Sequence, residues 1–341
     1  MSDDAAPRGG AEGRNALAAA LRAPEWSLLL AILAVLGGIY VKQGPPHSFF
    51  QYQNLTTLCH NIALLGVLAV GAAVIIIAGG IDLSVGSVVA LSAVVAAKLM
   101  TEWLPGAQRS GDPISPGVIA AAVALTLMLG IAIGLLHALF ITAFRLPAFI
   151  ATLATMAGLR SLATVVSKNR SVTVNFPTFR MFGFDNTYTV PIFLVVVVAV
   201  TIMMGATVLG RHLYALGGNE AAARLSGLPT ARLKMIAYGL SGLLSALGGL
   251  LYAGNSGQGN GTMGMSYELF AITAAVVGGC SLSGGVGSIH GTVLGLILIQ
   301  VVIKGTGLVV NWIDPTQIEG LVLGTIIVLA VAFNQRFRGR G

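Results

Sequence analysis

Ten long apolar segments, almost free of charged residues, dominate this sequence. A helix of about 20 apolar residues is long enough to cross a hydrocarbon core of about 30 Å. The sequence therefore predicts an all-α polytopic membrane protein with about ten transmembrane helices. The predicted spans have approximate cores at residues 26–41, 55–77, 85–100, 117–141, 147–167, 189–209, 235–253, 267–280, 288–303 and 318–334.

The composition excludes a soluble globular protein. Hydrophobic residues make up 55% of the chain and charged residues only 9%, a balance that a water-exposed surface does not tolerate. The sequence predicts one transmembrane domain over residues 26–335, with a disordered cytoplasmic tail at 1–25 and a basic tail at 336–341. Cys59 and Cys280 are isolated in apolar surroundings, so neither a disulfide nor a metal site is expected.

The basic residues predict the orientation of the chain in the membrane. They are concentrated in the loop 210–234 and in the C-terminal tail, which places both termini in the cytoplasm by the positive-inside rule. The net charge of +7 also favours attraction to anionic membrane lipid. Nucleic-acid binding has no support, because no basic patch with interleaved aromatic residues lies outside the spans.

A carboxylate lies between two predicted spans, within the glycine- and hydroxyl-rich segment 79–87. An ionisable group at membrane depth costs about 2.5–3.5 kcal/mol on the insertion scale, so such a residue normally has a functional or structural reason. We expect the Asp82 carboxylate to accept hydrogen bonds from backbone amides or from hydroxyls such as that of Ser84. Direct contact between Asp82 and a substrate is the alternative.

The first six residues of this segment have a weak repeat later in the chain, where residues 278–283 read Gly-Gly-Cys-Ser-Leu-Ser. Paired glycine-interrupted hydrophobic segments indicate discontinuous helices that line a transport pathway. Non-helical backbone at membrane depth must be covered by protein or water, so both segments are predicted to face the inside of the bundle. Chance similarity in a chain with 45 glycines is the alternative.

The predicted cytoplasmic loop 210–234 encodes a short helix with its own start and stop signals. Asn219 is at an N-cap position, Glu220 lies in the first turn, and Gly227 and Pro229 mark the end. Seven residues rise about 10 Å, too short to span a membrane but suited to lying on its surface. We interpret the helix as a docking element for a cytoplasmic partner. An ordinary amphipathic connector is the alternative.

These motifs, taken in order, resemble the permease subunits of ribose-type bacterial ABC sugar importers, over about residues 50–335. The segments that carry the resemblance are residues 79–87, 146–156, 218–227, 267–269, 278–279 and 281–285. The resemblance implies a bacterial inner-membrane location and a pore formed by two permease copies, either identical or related. It also implies two cytoplasmic ATP-binding subunits and a periplasmic sugar-binding protein that delivers the substrate.

The resemblance assigns ATPase coupling to the short helix. The residues concerned are Asn219, Glu220, Ala221, Ala222, Arg224 and Gly227. ATP and Mg²⁺ are then bound by the partner ATPase, and no cofactor is expected in this chain. None of its five lysines follows a glycine, so the phosphate-binding G-x-x-x-x-G-K-[ST] loop is missing. No His and carboxylate have a spacing typical of a hydrolytic centre, and the chain is not expected to be an enzyme.

A path for sugars requires spaced amides, hydroxyls and aromatic rings that bind weakly enough to release the substrate. The candidate path or structural polar residues are Asp82, Ser84, Asn54, Asn61, Thr152, Thr155, Asn255, Tyr267 and Glu268. Glu268 begins the eighth predicted span and is expected at the outer end of the path, where the helix dipole favours its charge. Simple capping of that helix is the alternative.

Three residues depart from the pattern of the resembled family. His137 replaces a common Asn, Phe270 replaces a frequent Asp, and His290 replaces a residue that is usually apolar. A lone His on an apolar helix face is more often a packing residue than a proton carrier. The departures leave the transported substrate open.

Two other classes of protein compete with this interpretation. A secondary transporter could use Asp82, Glu268 and His137 to carry protons or to coordinate sodium. The capped helix argues against it, because a carrier driven by an ion gradient needs no ATPase docking surface. A purely structural membrane scaffold would leave the buried carboxylates unexplained.

Overall fold

The computed structural model describes residues 24–45, 47–309, 320–326 and 328, and most of these residues are helical. The helices are α1 (Pro24–Gln43), α2 (Tyr52–Ile77), α3 (Val85–Lys98), α4 (Pro116–Thr142), α5 (Ala148–Val166), α6 (Pro177–Phe184), α7 (Asn186–Ala206), α8 (Val208–Gly218), α9 (Glu220–Leu225), α10 (Thr230–Ser256), α11 (Tyr267–Val277) and α12 (Ile289–Val309). Residues 320–326 are also helical. Strands β1 (Val172–Thr173) and β2 (Gln258–Gly259) pair antiparallel.

Eight of the described helices are long and apolar enough to cross a membrane: α1, α2, α3 with its π-helical extension to Trp103, α4, α5, α7, α10 and α12. This confirms the predicted all-α polytopic membrane fold. The eighth predicted span is shorter than predicted, because α11 begins at Tyr267, as predicted, but already ends at Val277. Its eleven residues rise about 17 Å, which is too short to cross the membrane alone.

Several sequence predictions fall on residues that the structure does not describe. Most of the tenth predicted span, 318–334, lies outside the described residues, as does the basic tail 336–341. The predicted tail 1–25 also lies outside them, except for its last two residues, which already belong to α1.

Helices α2, α3 and α10 form the centre of the bundle, and most of their residues are buried, whereas few residues of α1, α5 and α7 are buried. Small residues allow the closest helix contact. A Cβ atom on Gly134 of α4 would overlap the Tyr238 carbonyl oxygen of α10, and one on Gly130 would overlap Gly242. Such contacts between backbones are typical of helix packing within a membrane.

A first break, residues 78–84, separates α2 from α3. The Gly79 N–H donates to the Ile76 carbonyl at 3.0 Å and the Gly80 N–H to the Ile75 carbonyl at 2.9 Å. Gly79 has a φ of 80°, a left-handed conformation that suits glycine at the end of a helix. These two hydrogen bonds define a Schellman motif, which satisfies the last carbonyls of α2.

A second break, residues 278–288, separates α11 from α12 and begins with the same motif. The Gly279 N–H donates to Val276 at 3.0 Å and the Cys280 N–H to Ala275 at 2.9 Å, with Gly279 at a φ of 94°. The backbone motif therefore recurs in both copies of the sequence repeat, although its left-handed glycine is the first glycine of the first copy and the second glycine of the second copy. The two breaks lie against each other, because a Cβ on Gly284 would be 2.8 Å from the Gly79 Cα, and the Gly285 N–H donates to the carbonyl of Ile77 at the end of α2 at 2.8 Å.

Candidate functional site

The Asp82 carboxylate is the centre of a buried hydrogen-bond network in the first break. It is 4% exposed. Its Oδ1 accepts from the Ser84 backbone N–H at 2.9 Å and from the Ser84 hydroxyl at 2.6 Å, and its Oδ2 accepts from the Ser241 hydroxyl of α10 at 2.9 Å. The sequence analysis predicts the bonds from Ser84. Ser241 was not predicted, since only the fold brings it 159 positions back to Asp82.

The carbonyl group of Ile81 joins this network to α5 and α10. It accepts from the Tyr238 hydroxyl at 3.4 Å and from the Thr152 hydroxyl at 3.3 Å. One turn further along α5, Thr155 Oγ1 lies 2.7 Å from His137 Nε2. The His137 ring is 1% exposed, so this departure from the family pattern is a buried, hydrogen-bonded residue. Its Nδ1 has no hydrogen-bond partner among the described residues.

Arg160 of α5 forms a polar centre with Glu268 that the sequence analysis missed. Its guanidinium donates to the carbonyls of Gly261 at 3.2 Å, Met263 and Gly264 at 3.4 Å. The side chains of Arg160 and Glu268 both lie beside Gly86 near the start of α3. The available signal was a lone arginine inside a predicted span, which costs as much in a membrane as a carboxylate does.

The Glu268 carboxylate is half-buried in the first turn of α11, as the sequence predicts. Its Oε2 atom is buried without a hydrogen-bond partner among the described residues, and no ion pair within 4.0 Å joins it to Arg160. The carboxylate and guanidinium are therefore close to one another without a direct ion pair, and one carboxylate oxygen has no hydrogen-bond partner among the described residues. Such a pair can bind a ligand that carries both donors and acceptors.

Two other candidate path residues, Asn255 and Asn54, make their hydrogen bonds elsewhere. Asn255 is in the last turn of α10, and its Oδ1 lies 3.2 Å from His60 Nε2, while His60 Nδ1 lies 2.7 Å from Asn186 Oδ1. Asn54 donates to the Ser48 carbonyl at 2.7 Å and closes the turn before α2. These residues connect helix ends.

Asn61 and the two remaining departures from the family pattern do not join the Asp82 network. Asn61 is exposed on α2, Phe270 is buried, and His290 is exposed. The ring of Tyr267 packs against that of Tyr252, with their centroids 4.8 Å apart. Within the described residues, no group of three His, Cys, Asp or Glu side chains could hold a metal ion.

The short helix α9 has the caps that the sequence predicts. The Asn219 Oδ1 accepts from the Ala222 N–H at 2.9 Å. At the other end, Gly227 has a φ of 80°, and its N–H and that of Leu228 donate to Arg224 and Ala223, the same Schellman pattern as in the two breaks. The helix has six residues, one fewer than predicted.

Helix α9 has ion pairs at Glu220 and an exposed face. The Lys234 ammonium donates to both Glu220 oxygens at 2.7 and 2.8 Å, and Arg224 donates to Oε1 at 3.2 Å. Partial burial raises the pKa of Glu220, but these two cations outweigh it and hold that pKa below its ordinary value. The exposed residues of the helix are Ala221, Ala222, Arg224 and Leu225, the last 89% exposed.

The junction between α8 and α9 lies against both breaks. A Cβ atom on Gly217 would overlap the Ile77 carbonyl oxygen and would lie 2.7 Å from the Gly285 nitrogen. The Tyr214 hydroxyl donates to the Gly287 carbonyl at 2.9 Å. The surface helix thus begins three positions after Gly217, the residue of α8 that contacts both breaks.

Paired helix breaks, a buried polar network and a capped surface helix are together typical of a membrane transport permease. The family described as "Branched-chain amino acid transport system / permease component" matches residues 54–331, and the chain belongs to this family.

Several curated relatives are similar to nearly the whole chain. Ribose import permease protein RbsC of Escherichia coli (strain K12) is 35% identical over 314 residues, covering 90% of this chain and 93% of the relative. RbsC of Bacillus subtilis (strain 168) is also 35% identical, covering 85% and 87%. Galactose/methyl galactoside import permease protein MglC of Salmonella typhimurium (strain LT2) is 34% identical, covering 90% and 93%. No solved structure matches the chain. The predicted relationship to sugar import permeases is confirmed.

Proposed function

We propose that this chain is the membrane permease subunit of a bacterial ABC importer and forms the path for a pentose or hexose. Two permease copies, identical or related, enclose the path, and a periplasmic binding protein delivers the sugar. Separate ATPase subunits bind ATP and Mg²⁺ and drive the cycle. The observation that carries the proposal is the short connection between α9 and Gly217 of α8, because Gly217 lies against both helix breaks.

The exposed face of α9 is the proposed ATPase contact. Lys234 and Arg224 fix Glu220, so a force on the exposed face is carried by the helix as a unit. Only Asn219 separates α9 from α8. Movement of the ATPase subunits would therefore displace Gly217 relative to both breaks. Because the ATPase subunits are cytoplasmic, the proposal also includes a cytoplasmic position for α9 and for both chain termini.

Arg160 and Glu268 are the proposed sugar contacts. A sugar hydroxyl can donate to the Glu268 carboxylate while a neighbouring hydroxyl accepts from a guanidinium N–H. Both groups are charged, and hydrogen bonds to charged groups contribute about 1.5–3 kcal/mol each. The names of the relatives support the substrate class, since ribose is a pentose and galactose is a hexose.

The test compares two glycines at opposite ends of α9. Gly227→Val places a β-branched residue at a φ of 80°, whereas Gly218→Val introduces a side chain where a Cβ meets nothing within 4 Å. In a reconstituted complex with its ATPase and binding protein, Gly227→Val should reduce ATP-driven uptake at least about tenfold, equivalent to 1.4 kcal/mol. Membrane insertion should not change. Gly218→Val should transport normally. Unchanged coupled transport by Gly227→Val would exclude α9 as the coupling element.

A further inference from the structure

A groove of about 550 Å³ runs along the outside of the bundle between α4 and α10. Its lining is apolar except for Arg232. Ile131, Leu135, Met235 and Ile236 in its walls are each 36–43% exposed. Gly239 gives the groove its depth, because a Cβ there would already lie 3.6 Å from the Leu135 side chain.

The groove ends at an arginine whose charge has no partner. Arg232 is exposed and makes no hydrogen bond or ion pair with any described residue. Its cationic neighbours Arg224 and Lys234 are both paired with Glu220, so that carboxylate does not compensate Arg232. The mouth of the groove therefore carries an uncompensated positive charge.

A second arginine lies at the same end. Contacts between Leu135 and Gly239 fix the antiparallel register of α4 and α10. Thr142, at the end of α4, lies seven residues after Leu135, and Arg232 lies seven residues before Gly239. Both helices rise about 1.5 Å per residue, so Thr142 and Arg232 lie at the same level. Arg145 follows three residues later, is exposed and also has no ion pair among the described residues.

The length of the groove matches one leaflet of a bilayer. From Arg232 to Leu243, α10 rises about 17 Å, and half of a hydrocarbon core measures about 15 Å. We propose that the groove binds an acyl chain of one anionic phospholipid, with the lipid phosphate at Arg232. Basic pockets between transmembrane helices recognise anionic lipid headgroups in this way. The geometry is independent of the transported substrate, and only the identity of the leaflet rests on the proposed function.

The experiment is native mass spectrometry of the purified full chain with added phosphatidylglycerol or phosphatidylcholine. Wild-type protein should retain phosphatidylglycerol more tightly. Arg232→Gln should weaken its binding about fivefold, equivalent to about 1 kcal/mol for one cation near the surface. The matched control, Arg211→Gln, removes an exposed charge from α8 outside the groove and should bind like wild type. Gly239→Leu fills the groove and should lower the binding of both lipids.

Three results would overturn the lipid site. The first is equal binding of the two lipids by wild-type protein, and the second is equal binding of phosphatidylglycerol by Arg232→Gln and Arg211→Gln. The third is loss of self-association in Gly239→Leu with unchanged lipid binding. The last would identify the groove as an interface with a second permease copy. If Gly239→Leu does not fold, the comparison of Arg232→Gln with wild-type protein is sufficient to test the lipid site, because Arg232 is exposed and its replacement should not affect folding.

Discussion

The two helix breaks have the same backbone motif but are held in place differently. The first break contains the Asp82 carboxylate, which accepts three hydrogen bonds from buried donors. In the second break the residue that the sequence repeat pairs with Asp82 is Ser281, whose hydroxyl accepts one bond, from the Ser283 N–H at 3.3 Å. Leu282 and Ser283 of this break are exposed. The comparison shows that glycine geometry alone ends a helix, while a buried carboxylate ties the first break to the rest of the bundle.

The comparison predicts the largest effect at Asp82. Asp82→Ala leaves the Ser84 N–H and the hydroxyls of Ser84 and Ser241 without an acceptor, at about 1–3 kcal/mol for each buried group. We expect loss of folded protein as well as of transport. Ser281→Ala removes one acceptor and should cost about 1 kcal/mol or less. Thermal unfolding of both variants in detergent measures the difference. A well-folded Asp82→Ala complex that has changed only in sugar selectivity would contradict the structural role.

A second prediction tests whether α8 connects the two breaks. Gly217→Ala forces α8 away from the Ile77 carbonyl and from Gly285, and overpacking of this kind costs about 1–3 kcal/mol. Gly218→Ala is the matched control, because a Cβ there has no neighbour within 4 Å. Uptake and ATP hydrolysis should both fall in Gly217→Ala. Neither should change in Gly218→Ala. Equal behaviour of the two variants would show that the contact is dispensable.

A third prediction concerns Glu268, which lies beside Gly86, two residues after the end of the first break. Glu268→Gln keeps the shape of the side chain but removes the charge that a sugar hydroxyl would bind, so the concentration for half-maximal uptake should rise about tenfold, equivalent to 1.4 kcal/mol. ATPase binding should be unchanged. Leu269→Gln, at an exposed position one residue further along α11, is the control. If Glu268→Gln and Glu268→Ala both show wild-type concentration dependence, Glu268 is not part of the path.

The smallest predicted effect is at α9. The lowered pKa of Glu220 means that its ion pairs stabilise α9 above the ordinary pKa of glutamate, about 4.3, and that this contribution is lost as pH falls through the lowered value. Because the pair is partly exposed, the loss should be at most about 1 kcal/mol. Hydrogen exchange of residues 220–225, corrected for intrinsic rates, should speed up at low pH. In Glu220→Gln these residues should exchange faster already at pH 7. Their protection should not decrease further as the pH is lowered.

Local signals in the sequence were sufficient to predict the caps of α9 and the glycine breaks. Asn219, Gly227 and Gly79 act through bonds within a few residues, and such bonds follow from residue type and spacing. The apolar segments likewise predict membrane helices, because their length is set by the bilayer.

Contacts between distant segments were not predictable in this way. Ser241 reaches Asp82 across 159 positions, and Arg160 reaches the loop before α11 across 101 to 104 positions. The length of α11 was also overestimated. The apolar pattern continues through Gly278, but the left-handed turn at Gly279 ends the helix earlier.

The most direct test of the proposed function is uptake of labelled pentoses and hexoses by proteoliposomes. The chain is reconstituted with its ATPase and binding protein, and separately alone, under an imposed proton or sodium gradient. The proposal predicts uptake of at least one sugar only in the complete complex with ATP, and none by the chain alone under either gradient. Gradient-driven uptake by the chain alone, without ATP, would contradict it and would identify a secondary transporter.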